Sequence, residues 1–216
     1  TEIQKKAIPI ALKKRDILAA AQSGTGKTAA FLLPILTELI ANKQPNKPVL
    51  RTLILVPTRE LASQISKAAE DLGKYLDVQK LAVFGGVSTK EQEKKIAKGL
   101  DILVATSGRL MEHLKNGTVD LSSVTTVVID EVDTMLDMGF LEDIEKILPS
   151  VGPKRQIMMF SATMNQNVKK LAKEFLTDPV VIEVAQQRSA VKIIDQQIVL
   201  VDEANKAAAL SYIIGS

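Results

Sequence analysis

Cysteine and tryptophan are both absent from this 216-residue chain, histidine occurs once, at His113, and aromatic residues make up 3%. Each scarcity removes a class of function. Without cysteine there is no disulfide framework and no thiolate metal site; a reducing compartment suits the composition, and a cytoplasmic protein is expected. One histidine builds no zinc cluster, and His113 reads as a helix-surface residue. With so few aromatics, a nucleic-acid partner would be held through its backbone phosphates rather than on stacking platforms. No apolar run approaches the roughly 18 residues that cross a bilayer, so no membrane partner is expected. The opening "TEIQKKAIPI" has no secretory pattern and no initiating Met, which suits a soluble piece of something longer.

What is present is balanced. The chain carries 28 basic and 25 acidic side chains, a net charge of +3, with 46% hydrophobic residues. Those are the proportions of a globular protein, and they permit a nucleic-acid partner without demanding one.

Short apolar runs alternate with amphipathic segments. "DILAAA" from Asp16, "LRTLILV" from Leu50, "KLAVFG" from Lys80, "DILVAT" from Asp101, "TTVVID" from Thr125, "QIMMFS" from Gln156 and "PVVIEV" from Pro179 read as strands. They lack polar-apolar alternation, as parallel strands covered on both faces do. Helical patterns such as "TRELASQISKAAEDLGKYL" and "NQNVKKLAKEFL" lie between them. The expected fold class is α/β: a doubly wound, mainly parallel sheet with helices on both faces. "TKEQEKKIAK" reads as a solvated helix face, and "ANKQPNKPVLR", with Pro45 and Pro48, as a surface loop. After "PVVIEV" the patterning weakens. The expected organisation is one domain over residues 1–185, a linker over 186–194, and the incomplete start of a second domain over 195–216, with "QQIVLV" its strand and "DEANKAAALSYIIGS" its helix.

"AAAQSGTGKTAAFLLPIL" combines a strand, a glycine turn and a helix. Gly24 and Gly26 let backbone amides turn inward toward phosphate oxygens, and the helix start adds its positive dipole end. Lys27 supplies a point charge for the outer phosphates and the Thr28 hydroxyl suits a Mg²⁺ ligand. The strict phosphate-loop pattern has glycine where Ala21 stands. A second acidic element is needed on a neighbouring strand, and "VVIDEVD" supplies it: Asp130 to hold Mg²⁺ and Glu131 to orient and deprotonate an attacking water. Taken alone, such an acid pair more often closes a strand as a capping turn; beside a phosphate loop, it suits catalysis.

At this point the residues resemble a family, the DEAD-box RNA helicases of superfamily 2. The likeness runs through "IQ" at Ile3-Gln4, "AQSGTGKT" at Ala21 to Thr28, "PTRELA" at Pro57 to Ala62, "GG" at Gly85-Gly86, "TSGR" at Thr106 to Arg109, "DEVD" at Asp130 to Asp133 and "SAT" at Ser161 to Thr163. The family carries Ala at the Ala21 position, which removes the mismatch. "YLDVQKLAVFGGVS" and "TMLDMGF" look most like the bacterial RhlE-like branch.

The resemblance implies a RecA-like domain that binds ATP and Mg²⁺ and couples hydrolysis to local unwinding of RNA. ATP would be held by Gln4, reading adenine, and by Ala21, Gln22, Ser23, Gly24, Thr25, Gly26, Lys27 and Thr28. Lys27, Asp130 and Glu131 would be catalytic, with Thr28 and Asp130 as metal ligands. Asp133, Ser161 and Thr163 would couple the ATP site to RNA, "SAT" hydrogen-bonding Asp133. Pro57, Thr58, Arg59, Gly85, Gly86, Thr106, Gly108 and Arg109 would line a track for the RNA sugar-phosphate backbone, read without regard to base sequence. Without the resemblance, Thr58 and Ser107 are helix caps and Gln4 a surface residue.

Three departures stand out. Ser107 replaces the family's usual Pro, which loosens that turn and adds a hydroxyl near the track. Val132 replaces the name-giving Ala, with an effect expected to be one of packing. The arginine fingers that the family draws from a second RecA-like domain are missing, as is its adenine-stacking aromatic before Gln4. The chain alone is therefore expected to be nearly inactive; a monomer is expected. The competing readings are a phosphate-loop enzyme that does not act on nucleic acid, and a non-catalytic RNA-binding module. A GTPase should show Asn-Lys-x-Asp, and "NKQP" and "NKPV" lack the acid; an "LSGGQ"-type transporter signature is absent as well.

Overall fold

The structure, a computed structural model, describes residues 1–43, 48–184 and 199–215. Internal packing divides the chain into Thr1–Ala185 and Gln186–Ser216.

In the first unit the seven apolar runs become seven strands: β1 (Ile17–Ala20), β2 (Thr52–Val56), β3 (Lys80–Val83), β4 (Ile102–Thr106), β5 (Thr126–Ile129), β6 (Gln156–Ser161) and β7 (Val180–Glu183). They form one sheet in the order β3-β4-β2-β5-β6-β1-β7, and every pairing is parallel. Successive side chains point to opposite faces, so each central strand feeds two cores at once. Leu53, Leu55, Val127, Ile129, Ile157 and Met159 enter one. Ile54, Val56, Val128, Met158 and Phe160 enter the other. This double burial is why the strands read as continuous apolar runs.

Helices cover both faces. On one lie α1 (Glu2–Leu12), α2 (Lys27–Ala41) and α3 (Arg59–Leu72), burying Ile3, Ala7, Phe31, Leu32, Ile65 and Ala69. The Phe31 and Phe160 rings meet at 5.4 Å between centroids, seating α2 on β6. The short α4 (Thr89–Ile96) follows β3. Packed against the second core are α5 (Ser107–Lys115), α6 (Val132–Asp137), α7 (Leu141–Ile147) and α8 (Gln166–Phe175). Asn165 caps α8 by accepting from the Val168 amide at 2.9 Å.

Two carboxylates tie down the N-terminal ends of the strands. Asp16 accepts from the amides of Ile157 (2.7 Å) and Thr177 (2.8 Å). Asp101 accepts from the Gln79 amide and pairs with Arg51, both at 2.8 Å. Each stands just before an Ile-Leu pair that opens a strand, so the repeated "DIL" marks a strand foot rather than chemistry.

The second unit contains α9 (Lys206–Gly215) after a 3-10 turn at Glu203–Asn205, with Leu210, Tyr212 and Ile214 exposed. The expected linker over 186–194 and residues 196–198 of "QQIVLV" lie outside the described residues; Val199 to Val201 are not in a strand. Among the described residues no helix is long and apolar enough to cross a membrane.

Candidate nucleotide site and nucleic-acid interface

Because every strand runs the same way, all the loops that leave strand C-terminal ends share one edge of the sheet. The sheet order then decides which loops are neighbours. Residues 21–26 leave β1, Asp130-Glu131 leave β5, and Ala162-Thr163 leave β6, which lies between those two strands. The ladder continues past the strand ends: the Ala21 amide donates to the Ser161 carbonyl, and the Asp130 amide to the Leu55 carbonyl, both at 3.0 Å.

The glycine loop is held from behind by α1. Gly26 has φ +93, a conformation that strains a side-chain-bearing residue, and a β-carbon there would stand 2.5 Å from Gln4 Nε2 and push that amide aside. Gln4 Nε2 donates to the Gly26 carbonyl at 3.1 Å, and its Oε1 accepts from the Thr1 amine at 3.1 Å. Gln4 thus reaches the loop, with its amide engaged by the loop itself. Gln22, Ser23 and Gly24 are exposed, and Thr25, Gly26 and Thr28 half-exposed.

Lys27 is the most telling group. Its side chain is 6% exposed, its ammonium has no hydrogen-bond partner among the described residues, and Asp130 Oδ1 stands 4.0 Å away. A buried ammonium with no hydrogen-bond partner, and a counter-charge only at the edge of ion-pair distance, is costly unless something anionic completes it. Asp130 is strained in the opposite sense. Burial pushes its carboxyl up to about 6, against the pull of Lys27 and the Glu131 amide, with Glu131 and Asp133 adding repulsion. Glu131 sits between them with φ +53, an uncommon conformation for a side-chain-bearing residue. Its amide donates to Asp130 Oδ1 at 3.0 Å.

Asp133 faces the other way. It accepts from the Thr163 amide at 2.9 Å and the Ala162 amide at 3.2 Å. Burial alone would raise its carboxyl; the Ser161 hydroxyl, the Ala162 amide, the Thr163 hydroxyl and the Thr134 amide outweigh that and hold it below the usual carboxylate range. The contact crosses directly from α6 to the end of β6. Val132 is fully buried in the core beside Met135, so its extra methyl groups meet hydrophobic neighbours and not the acids.

A second group of loops leaves β2, β3 and β4, which are adjacent in the sheet. Thr58 caps α3, accepting from the Leu61 amide at 3.2 Å. Arg59 is exposed, and its guanidinium lies 3.4 Å from where a Gly86 β-carbon would be; Gly86 itself has φ +81. Gly85, Gly86 and Gly108 are exposed and Thr106 half-exposed.

The structure revises several sequence expectations here. Pro57 is buried, so it shapes the turn after β2 without presenting a surface. The Arg109 side chain is only 11% exposed, pairs with Glu112 at 3.0 Å and donates to the Val87 carbonyl at 2.9 Å. Its charge is spent inside the protein, leaving Arg59 as the exposed guanidinium of the two. His113 is not a helix-surface residue: it is fully buried, between Thr118 Oγ1 at 2.9 Å and Gln92 Oε1 at 3.0 Å. Burial, with Arg109 nearby, depresses its pKa. The "solvated" charge run has an inner side, since Gln92 is 4% exposed. A signal was present: Thr89, Gln92 and Ile96 are uncharged at helical spacing within that run. Ser107 does not put a hydroxyl on the surface either; it is 1% exposed and its Oγ has no partner among the described residues.

That last observation carries a prediction. Ser107→Ala removes a desolvated hydroxyl that makes no bond, so the variant should be more stable by about 1 kcal/mol. A denaturant titration checks this; a lower midpoint would mean that the hydroxyl has a partner after all.

A glycine loop joining a strand to a helix, with an ammonium and a strand-end carboxylate converging on it, marks a phosphate-loop nucleotide-binding domain of RecA-like fold. The chain belongs to the DEAD/DEAH box helicase family, which it matches over residues 1–171. It is 43% identical over 208 residues to the DEAD-box ATP-dependent RNA helicase RhpA of Helicobacter pylori, covering 96% of this chain and 41% of that protein. To the DEAD-box ATP-dependent RNA helicase CshA of Bacillus subtilis it is 37% identical over 214 residues, 99% of this chain and 42% of that one. Among solved structures, the yeast DEAD-box splicing factor Prp28 superposes with a TM-score of 0.80 at 35% identity, over 86% of this chain and 45% of that chain. The chain thus spans less than half the length of these relatives.

Proposed function

We propose that this chain is the ATP-binding domain of an RNA-dependent ATPase that binds RNA through its sugar-phosphate backbone and opens short duplexes locally. The observation that carries the reading is the single edge on which an incomplete phosphate site, the Asp133-to-Thr163 bridge and the Arg59–Gly86 surface lie side by side. The bridge ties α6, which follows the acids, to the end of β6, so whatever moves α6 also moves the end of β6.

The donor set suits a magnesium nucleotide. Among the described residues no cluster of three or more ligating side chains is arranged to hold a metal. Mg²⁺ takes one or two protein oxygens and completes its shell with phosphate and water. Thr28 and Asp130 would hold it, and the ion would neutralise charge on the outer phosphates. Lys27 would pair with those phosphates, which would supply the hydrogen-bond acceptors it lacks. Glu131, beside Asp130, would orient the attacking water and take its proton. Gln4 would steady the loop and meet adenine. Residues 195–216 would begin a second RecA-like domain whose arginine completes the site, a contribution of roughly 10³ to 10⁵ in rate.

The test compares RNA-stimulated ATP hydrolysis by this chain and by the full-length protein. The full-length protein should turn over ATP and the isolated chain scarcely at all. Rapid RNA-stimulated turnover by the chain alone, or a preference for GTP over ATP, would overturn the reading.

A pH dependence follows from Asp130. Its carboxyl titrates near pH 6 in the free domain, so protons and the cation compete below that value. Lowering the pH from 7.5 to 5.5 should weaken Mg-ATP binding about fourfold beyond the effect of protonating ATP itself. Asp130→Asn is the control and should lose that excess; calorimetry at the two pH values measures both.

A further inference from the structure

A polar cluster under the Gly85-Gly86 turn plays no part in the nucleotide chemistry. Gln92 of α4 is 4% exposed and His113 of α5 is fully buried. Gln92 Nε2 donates to the carbonyl of Phe84, just before the turn, at 3.1 Å. Its Oε1 accepts from Arg109 and from His113 Nε2, each at 3.0 Å. With the donor end of the amide facing Phe84, His113 must carry its proton on Nε2. Arg109 in turn donates to the carbonyl of Val87, just after the turn, at 2.9 Å.

Gln92 therefore reaches one end of the turn directly and the other through Arg109. The turn needs such support. Gly85, Gly86 and Val87 are exposed, and a glycine pair gives the backbone more freedom than any other residues would. A buried primary amide is expensive unless both its ends are satisfied. Here the NH₂ group has an acceptor and the oxygen has two donors, so the amide does a job that an apolar residue of the same size could not.

We propose that Gln92 is a positioning residue for nucleic-acid binding. It clamps the Gly85-Gly86 turn at both ends, with Arg109 as its arm and His113 as its buttress, and so holds the turn's backbone ready for a phosphate without touching the RNA. The proposal rests on the RNA-binding reading above and names a residue outside the motifs that suggested it.

The test uses Gln92→Ala and Gln92→Glu in the full-length protein. For Gln92→Ala the dissociation constant for a labelled single-stranded RNA of mixed sequence should rise about tenfold, the scale of a lost charge-assisted hydrogen bond. The RNA concentration for half-maximal ATPase should rise in step, with turnover at saturating RNA and Mg-ATP affinity without RNA nearly unchanged. Gln92→Glu keeps the acceptors for Arg109 and His113 but loses the donor to Phe84, and should fall between the two. Hydrogen exchange at Gly85 to Val87 without RNA should quicken in Gln92→Ala.

RNA affinity equal to the parent's in both variants would overturn the proposal, as would RNA and Mg-ATP affinity falling together, the mark of general destabilisation. If the parent itself does not bind RNA, the functional reading fails. Exchange then decides the clamp separately: quickened amides would leave the clamp as a structural feature, and unchanged amides would remove it too.

Discussion

Glu131→Gln is expected to lower RNA-stimulated ATP turnover of the full-length protein by about 10² to 10⁴, the usual worth of a positioned general base, while Mg-ATP affinity stays close to the parent's. The substitution keeps the size of the side chain and its place between Asp130 and Val132. It removes only the capacity to accept a proton. The backbone at this position strengthens the expectation. A φ of +53 costs stability in a residue that bears a side chain, and such strain persists where the surroundings hold it. Here a short helix, α6, starts at the next residue, with Val132 and Met135 anchored in the core and Asp133 bound to the end of β6. Steady-state hydrolysis and nucleotide titration measure the two quantities. Turnover within tenfold of the parent would remove Glu131 from the chemistry.

Lys27→Ala should sharply reduce the thermal stabilisation that Mg-ATP confers, with little change in the melting temperature of the nucleotide-free protein. The asymmetry comes from the energetics of its ammonium. In the free domain it is buried with no hydrogen-bond partner among the described residues, and its counter-charge, Asp130, stands off at 4.0 Å. Removing it forfeits little that the free fold depends on, and the Asp130 carboxyl, already pushed up to about 6, can take a proton in compensation. The ligand loses far more. Charge-assisted hydrogen bonds to phosphate are worth about 1.5–3 kcal/mol each, so affinity should fall about 10- to 100-fold or beyond. Thermal scans with and without Mg-ATP separate the two effects, because ligand stabilisation grows with the logarithm of ligand concentration over Kd. A ligand-induced shift equal to the parent's would show that phosphate is held elsewhere.

Much of this site is legible in the amino-acid sequence alone. Residues 21–28 announce a strand, a glycine turn and a helix in order, and the three β-branched residues before Asp130 announce a strand that ends in acid. Such signals are local: they follow from backbone freedom at glycine and from period and polarity within a few residues. Pairing at a distance leaves no such mark. Arg109 reads as a free cation because one residue's charge is visible in sequence; Glu112 is three residues on, but its other two partners, Gln92 and the Val87 carbonyl, come from another turn of chain. Ser107 reads as a surface hydroxyl because only the packing around α5 makes it buried.

The amino-acid sequence by itself determined the seven strands and their burial on two faces, since apolar runs too short for helices can be stable only where both sides are covered. It also determined the kind of chemistry, because few residues other than glycine, lysine, threonine and the acids could perform it. Only the tertiary structure decided which pieces meet. The insertion of β6 between β1 and β5 sets the Ser161–Thr163 segment between the phosphate loop and the acids, and the β3-β4-β2 edge gathers the Arg59, Gly86 and Arg109 loops. Strand order is a property of how crossovers pack across a whole sheet, and no window of neighbouring residues records it.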